Sequence, residues 1–343
     1  MRRLLNTLFI TTQGAYVSKK GETVLVSVDG QERKRLPIHN LGSIVCFGRV
    51  SCSPYLLGLC GERGVAVSFL TIYGRFLARV QGPTSGNVLL RREQFRMADD
   101  PNFSAQVAKS VVIGKIANCR AVLNRLLRDH GEEFNQGEVR QALTQLKASL
   151  TSLNREIDLE AVRGVEGDAA HCYFGVFDHL ITRQKEDFFF QQRSRRPPLD
   201  NLNALLSFLY TLLLHDVRSA LETVGLDPAV GFLHRDRPGR YGLALDLMEE
   251  LRPFLADRLT LSLINLQQVK GNGFVKRESG GVAMTDDTRK KVIIAYQERK
   301  NDELTHPFLN ETVKVGLLPF IQALLFARYL RGDLGTYPPF SWK

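Results

Sequence analysis

Glu166 in RGVEGDAAHCYF, His234 in GFLHRDRPGR and Glu249 in LALDLMEELRP are the side chains of this sequence best suited to chemistry. Each is a metal-capable group in a mostly apolar, helix-like setting that has little other use for it. Hard divalent cations select carboxylate oxygens, and a neutral imidazole suits Mn²⁺ better than Ca²⁺. Two carboxylates and one imidazole therefore form a coherent donor set for Mg²⁺ or Mn²⁺. The chain carries 46 Lys and Arg against 36 Asp and Glu, a net charge of +10. That balance favours a polyanionic partner, and a metal beside it points to phosphodiester chemistry.

Every one of these groups also has an ordinary explanation. Glu166 lies between Gly164 and Gly167, where small residues let a ligand approach closely, yet an acid near a helix start also answers the helix dipole. His234 is either a satisfied core histidine or part of a phosphate edge, because Arg235, Arg237 and Arg240 follow it as a cationic rim. Asp246 and Glu249 are three apart and share a helix face. Leu243, Leu245, Leu247, Met248 and Leu251 surround them. Two buried carboxylates repel and cost desolvation unless a cation compensates. That cation is a metal or Arg252. Cys172 and His171 are adjacent and do not face each other on a helix, so no Cys–His pair follows. GxGxxG and P-loop patterns are absent, and Gly271-Asn272-Gly273 lacks their context.

The elements that must hold these groups change period along the chain. Residues 1–82 alternate in short segments (TLFITT, ETVLVSV, GSIVCFG, VAVSFL) and predict strands, with Asp29-Gly30 as a hairpin turn. One helix interrupts them at SPYLLGLCGERG, capped by Ser53 with Pro54 in its first turn. Pro83, Ser85 and Gly86 mark a linker over 83–95. From 96 onward the period is helical. Leu143, Leu146, Leu150, Leu153 and Ile157 share one face, and a similar pattern runs from Val107 to Leu127 with Gly131 at the C-cap position. The reading is an α+β chain: a small amino-terminal β-rich domain followed by a large all-α catalytic domain, 96–343. Two basic loops interrupt the helices, Arg183–Asn201 and Lys270–Val282. The first interleaves Phe188–Phe190 with Arg193, Arg195 and Arg196, a pattern that favours nucleic acid. Asp286 and Asp287 then suit the start of a helix.

Hydrophobic residues at 44% and charged residues at 24% exclude global disorder. Five cysteines (46, 52, 60, 119, 172) form no C-x-x-C pair, so a disulfide framework is not expected and a reducing cytoplasm fits. The opening MRRLLNTLFITTQG is broken by Asn6 and Thr7 and lacks a small-x-small cleavage site, so it does not read as a signal peptide. Leu202–Leu214 is too short an apolar run to span a bilayer and reads as a buried core helix, with no membrane partner.

Several ordered motifs together carry a resemblance. RGVEGDAAHCYF, the helix bearing Asn203 and Tyr210, GFLHRDRPGRYGLALDLMEELRP and THPF at Thr305–Phe308 resemble the CRISPR-associated adaptation integrase, a metal-dependent DNA endonuclease that inserts new spacers. The opening NTLFITTQGAYVSKKGETVLV, with PIHNLGSIVCFGRV and GVAVSFL, is similar to its type I-C branch. The likeness covers essentially the whole chain. It implies Mg²⁺ or Mn²⁺ held by Glu166, His234 and Glu249, with Asp246 as a supporting acid. It further implies a homodimer through a β dimerisation domain, a small ferredoxin-like CRISPR-associated partner, and double-stranded prespacer and repeat DNA. Arg235, Arg237, Arg240, Arg252 and Lys270 are the expected backbone contacts. The rival readings are a repair nuclease acting on branched DNA and a catalytically silent DNA-binding scaffold.

Overall fold

The computed structural model describes residues 6–72, 74, 76–80, 82, 88–130, 136–155, 158–278 and 280–342. The chain divides into two compact units. One comprises Met1–Gly86 with Asp286–Gln297, the other Asn87–Thr285 with Glu298–Lys343.

The first unit holds β1 (Asn6–Ile10), β2 (Tyr16–Lys20), β3 (Thr23–Val28), β4 (Gln31–Pro37), β5 (Leu41–Phe47), β6 (Ser51–Cys52), α1 (Pro54–Glu62), β7 (Ala66–Leu70) and β8 (Phe76–Val80). Two four-stranded sheets form, in the orders β1-β5-β7-β8 and β4-β3-β2-β6. In the first, β1, β5 and β7 run parallel and β8 returns antiparallel. In β5 the consecutive residues Ile44–Phe47 are all apolar and buried, as a strand covered on both faces requires. Val28 pairs with Gln31 across Asp29 and Gly30, both at positive φ, so the expected two-residue hairpin forms. Ser53 Oγ accepts the Leu56 N–H at 3.2 Å and caps α1 ahead of Pro54. All five cysteines are free.

The second unit opens with α2 (Val88–Asp99), α3 (Pro101–His130), α4 (Gln136–Leu153), α5 (Leu159–Gly175), α6 (Asn201–Thr223), α7 (Gly242–Leu251) and α8 (Arg258–Asn265). Between α7 and α8, Arg252–Asp257 is wound as a π-helix. There follow β9 (Phe274–Lys276), β10 (Val282–Met284), α9 (Asp286–Asn301, of which Asp286–Gln297 belongs to the first unit), β11 (Glu303–Thr305), β12 (Thr312–Lys314) and α10 (Leu318–Leu330). This domain is therefore largely rather than wholly helical, since β9–β10 and β11–β12 are antiparallel hairpins. Each strand has three residues, too few for a period to register in sequence. From Val88 the stretch read as linker is helix α2, and residues 83–87 lie outside those described.

α3 is the spine of this unit, packing on α4, α5 and α7. On α4 the buried stripe is Val139, Ala142, Leu146 and Leu153. Leu143 and Leu150 are only half-buried, while Ile157 and Gly131 fall outside the described residues. Helix α6 runs past the apolar stretch to 23 residues, enough by length and composition to cross a membrane. Yet more than half of its most apolar window is buried in the protein, and Leu202, Leu205, Leu206, Leu209 and Leu213 are fully covered. It is a core helix.

Candidate active site

Helix α5 starts at the cap Asp158, whose carboxylate accepts the Ala161 N–H at 2.7 Å. Glu166 is thus two turns inside the helix, and the acid of the first turn is Glu160. A helix-dipole role for Glu166 does not survive. Gly164 and Gly167 lie within the same continuous helix on either side of it, and an added Cβ at either would meet nothing within 4 Å. Mid-helix glycine costs about 1 kcal/mol relative to alanine. Here it keeps the outer surface next to the carboxylate bare.

His234 stands on an irregular segment pinned to the start of α7. Gly231 and Gly242 permit this, because a Cβ on Gly231 would lie 2.9 Å from Gly242 Cα. Asp246, fully buried on α7, gathers the segment: its Oδ2 accepts the N–H groups of Phe232 (2.6 Å) and Leu233 (3.0 Å). Its Oδ1 accepts the His234 N–H (3.0 Å) and lies 2.6 Å from His234 Nδ1. A carboxylate that takes three backbone donors is an acceptor, so Nδ1 carries the ring proton and Nε2 offers a lone pair. That lone pair is on the side of Glu249, whose Oε1 is 3.8 Å away. Arg163 on α5 donates to the Leu233 carbonyl at 2.7 Å and ties the segment to the helix of Glu166.

Glu249 is the buried centre of the charge cluster, with its side chain 3% exposed. Arg252 Nη1 reaches its Oε1 at 2.5 Å, and Lys115 Nζ lies 2.8 Å from its Oε2. Lys115 also pairs with Glu166 Oε1. Burial alone would raise the Glu249 carboxyl, but Arg252 and Lys115 beside it hold it well below the usual range. Behind this cluster the π-helix turns Asp257 inward to accept from Tyr210 (2.7 Å) and Tyr173 (3.3 Å), and Arg252 lies over the Tyr210 ring at 5.1 Å. Burial pushes the Asp257 carboxyl up to about 6 against the pull of Tyr210 and Arg252.

Glu166 and Glu249, distant in sequence, thus meet at Lys115, and His234 Nε2 comes within 3.8 Å of Glu249. Their chemistry suits a divalent ion. Bond lengths near 2.0–2.2 Å allow two ligands of one small ion to stand up to roughly 4 Å apart, and His234 Nε2 and Glu249 Oε1 fall within that span. Glu249 Oε2 is buried and takes no aligned hydrogen bond. Among the described residues no three His, Cys, Asp or Glu side chains stand close enough together to hold a metal ion as they are placed. Between Glu166 and Glu249 the ammonium of Lys115 stands instead.

The family model for CRISPR associated protein Cas1 matches residues 8–298. The CRISPR-associated endonuclease Cas1 1 of Chlorobaculum tepidum is 56% identical over the whole length of both chains. This chain belongs to the Cas1 family. Cas1 2 of Rhodospirillum rubrum is 52% identical, again over both full lengths. A Cas1 structure from Thermotoga maritima superposes with a TM-score of 0.81 at 21% identity, covering 97% of this chain and 99% of that one. A casposase bound to integration product gives 0.83 at 22% identity, covering 99% and 95%. At such identities these two likenesses speak to the fold, and it is the Cas1 fold of a β-rich region followed by a largely helical domain.

Of the basic residues singled out in this Cas1-family chain, Arg235, Arg237 and Lys270 are exposed and Arg240 is half-buried. Arg235 pairs with Glu160 at 2.6 Å. Burial, then the charge of Arg237, lowers the pKa of Arg240, so positive charge is crowded at this rim. Arg252 departs from expectation: its side chain is 16% exposed and committed to Glu249 and Tyr210, so it is no surface contact. In the loop 183–201, Phe188 and Phe190 are core residues and Phe189 is exposed. Arg193 is held by Asn203 (2.7 Å) and Ser207 (3.1 Å), which folds the loop onto α6. Sequence reasoning missed Lys115. Its signal was a lysine four residues from both Val111 and Cys119, on the buried stripe of α3.

Proposed function

We propose that this chain is a metal-dependent DNA endonuclease and integrase that inserts short duplex DNA into a CRISPR array. The 3′-hydroxyl of the incoming strand attacks a phosphodiester of the repeat, and with water as nucleophile the same site cuts DNA. The convergence of Glu166, His234 and Glu249 carries this reading, together with curated relatives described as endonucleases. These three side chains would hold Mg²⁺ or Mn²⁺. Bound there, the ion would polarise the phosphoryl oxygen and stabilise the leaving 3′-oxyanion.

The remaining work belongs to the chain. Asp246 keeps the proton on His234 Nδ1 and so leaves Nε2 free to ligate. Arg252 neutralises Glu249 from inside, while Arg235, Arg237, Arg240 and Lys270 hold the DNA backbone. The bare surface at Gly164 and Gly167 gives the duplex room beside Glu166. The assembly inferred from the resemblance is a homodimer with a small ferredoxin-like partner, on the type I-C branch of the family. A Cas6-RT-Cas1–Cas2 complex, superposing with a TM-score of 0.82 over 36% of its matched chain, accords with such a partner.

The test is insertion of a labelled duplex into a repeat-bearing plasmid with Mn²⁺, comparing the unaltered chain with Glu166→Ala and His234→Ala. Both variants are expected to bind DNA and to lose nicking and insertion by at least about a hundredfold, the scale of removing a metal or its support. Insertion that persists in both would end the metal-site reading.

A further inference from the structure

The chemistry above leaves one buried charge without a task. Lys115 reaches inward from α3 with its side chain 9% exposed, and its ammonium lies against both Glu166 Oε1 and Glu249 Oε2. A lysine among Val111, Val112 and Cys119 is costly to desolvate, and only anions repay that cost. An ammonium is a compact cation with donors only. Placed between two carboxylates it does the work of a metal ion with half the charge. The contact to Glu249 Oε2 is 2.8 Å long yet not an aligned hydrogen bond. Charge holds the ammonium against Glu249, and the hydrogen bond it gives up when another cation replaces it is the one to Glu166 Oε1.

The charge count gives the consequence. Glu166, Glu249 and, against His234, Asp246 bring three negative charges, and Lys115 and Arg252 set two positive ones beside them. A divalent ion entering this set leaves it one positive charge in excess and stands at close range to the ammonium, where each unit pair is worth several kcal/mol even at an effective dielectric near 20. Relief comes if the ammonium withdraws and an anion arrives. A DNA phosphodiester is such an anion.

We propose that Lys115 is a resident counter-ion that keeps the place between Glu166 and Glu249, is displaced by the incoming divalent cation, and then pairs with the DNA phosphate. It is a positioning residue. It weakens metal binding to the free protein and makes metal and DNA load together. This rests on the reading of Glu166, His234 and Glu249 as ligands.

The experiment is Mn²⁺ titration by calorimetry on the full chain, with and without a short duplex, for the unaltered protein, Glu166→Ala and Lys115→Met. Without DNA, Lys115→Met is expected to bind Mn²⁺ at least about tenfold more tightly than the unaltered chain. The duplex is expected to tighten Mn²⁺ binding to the unaltered chain and to do so much less in Lys115→Met. Equal or weaker Mn²⁺ binding by Lys115→Met overturns the proposal and leaves the ligand reading standing. If the unaltered chain shows no Mn²⁺ binding that Glu166→Ala removes, the ligand reading fails and the proposal with it. A second measurement does not depend on the variant folding. In the unaltered chain, modification of Lys115 by an amine-reactive reagent, read by mass spectrometry, should rise severalfold on going from EDTA to Mn²⁺. No rise overturns displacement.

Discussion

Replacing Asp246 by Asn changes the shape of the site least and its chemistry most. The carboxylate is fully buried and takes four donors, three of them backbone N–H groups and the fourth His234 Nδ1. An amide offers one oxygen and one NH₂. With the oxygen kept toward Phe232 and Leu233, the NH₂ faces the other pair. It can donate to His234 Nδ1 only if the ring proton moves to Nε2, and it leaves the His234 N–H without an acceptor. Three charge-assisted bonds fall to neutral ones at a cost of about 1 kcal/mol each, and one buried donor left unpaired adds about 1–3 kcal/mol. The sum is a stability loss of about 4–6 kcal/mol, to be read by denaturant unfolding. The second readout is the tautomer: ¹⁵N NMR of His234 should move from an Nδ1–H to an Nε2–H ring. That removes the lone pair facing Glu249, and Mn²⁺ affinity should fall by about ten- to a hundredfold. Unchanged unfolding together with a retained Nδ1–H ring would refute the role assigned to Asp246.

Two further outcomes follow from buried charge. Asp257 keeps its proton in the folded chain up to about pH 6 but releases it near 3.8 when unfolded, because burial outweighs its tyrosine and arginine partners. Its contribution is therefore fully present below about pH 4 and is lost as pH rises through about 6, a decline of about 3 kcal/mol. Asp257→Asn, whose amide can serve both tyrosine hydroxyls, should flatten that decline in unfolding curves taken from pH 4 to 7. Arg252 and Lys270 should separate cleanly. Arg252→Ala uncovers buried Glu249 and should cost about 3–5 kcal/mol of stability. Lys270→Ala should leave stability within about 0.5 kcal/mol and reduce the slope of log K for DNA against log salt by about 1. Equal salt slopes in the Lys270 variant and the unaltered chain would remove Lys270 from the interface.

What the sequence disclosed about this site depended on how local the information was. The hairpin at Asp29-Gly30 and the Ser53 cap are settled within four residues, and both form as read. Glu166, His234 and Glu249 stood out by type against an apolar background, and Asp246 by sharing a helix face with Glu249. How they meet was not legible, because it depends on the backbone approach of Gly231 to Gly242 and on the three amides gathered by one carboxylate. Phe188 and Phe190 misled because an aromatic run beside arginines looks the same whether its rings face solvent or core. The membership of Asp286–Gln297 in the first unit follows from Arg289, which is buried against Phe47 and donates to the Ile72 carbonyl. A pairing 217 residues apart leaves no periodic trace.

The sharpest lesson concerns Glu249, where the sequence posed a choice between a metal and Arg252 as the compensating cation. The choice is false because a carboxylate has two oxygens. Arg252 approaches Oε1 from the π-helix, where the widened turn lets a residue three positions on fold back while keeping its guanidinium near Tyr210. Oε2 faces Lys115 and Glu166, and His234 Nε2 lies on the Oε1 side. An arginine cannot be deprotonated and is fixed by its ring contact, so it remains as permanent internal charge. The lysine is held by Coulomb attraction on a flexible stem, so it is the exchangeable one. A site built this way holds the buried Glu249 ionised before any ion arrives, with Arg252 fixed on Oε1 and the exchangeable lysine on Oε2.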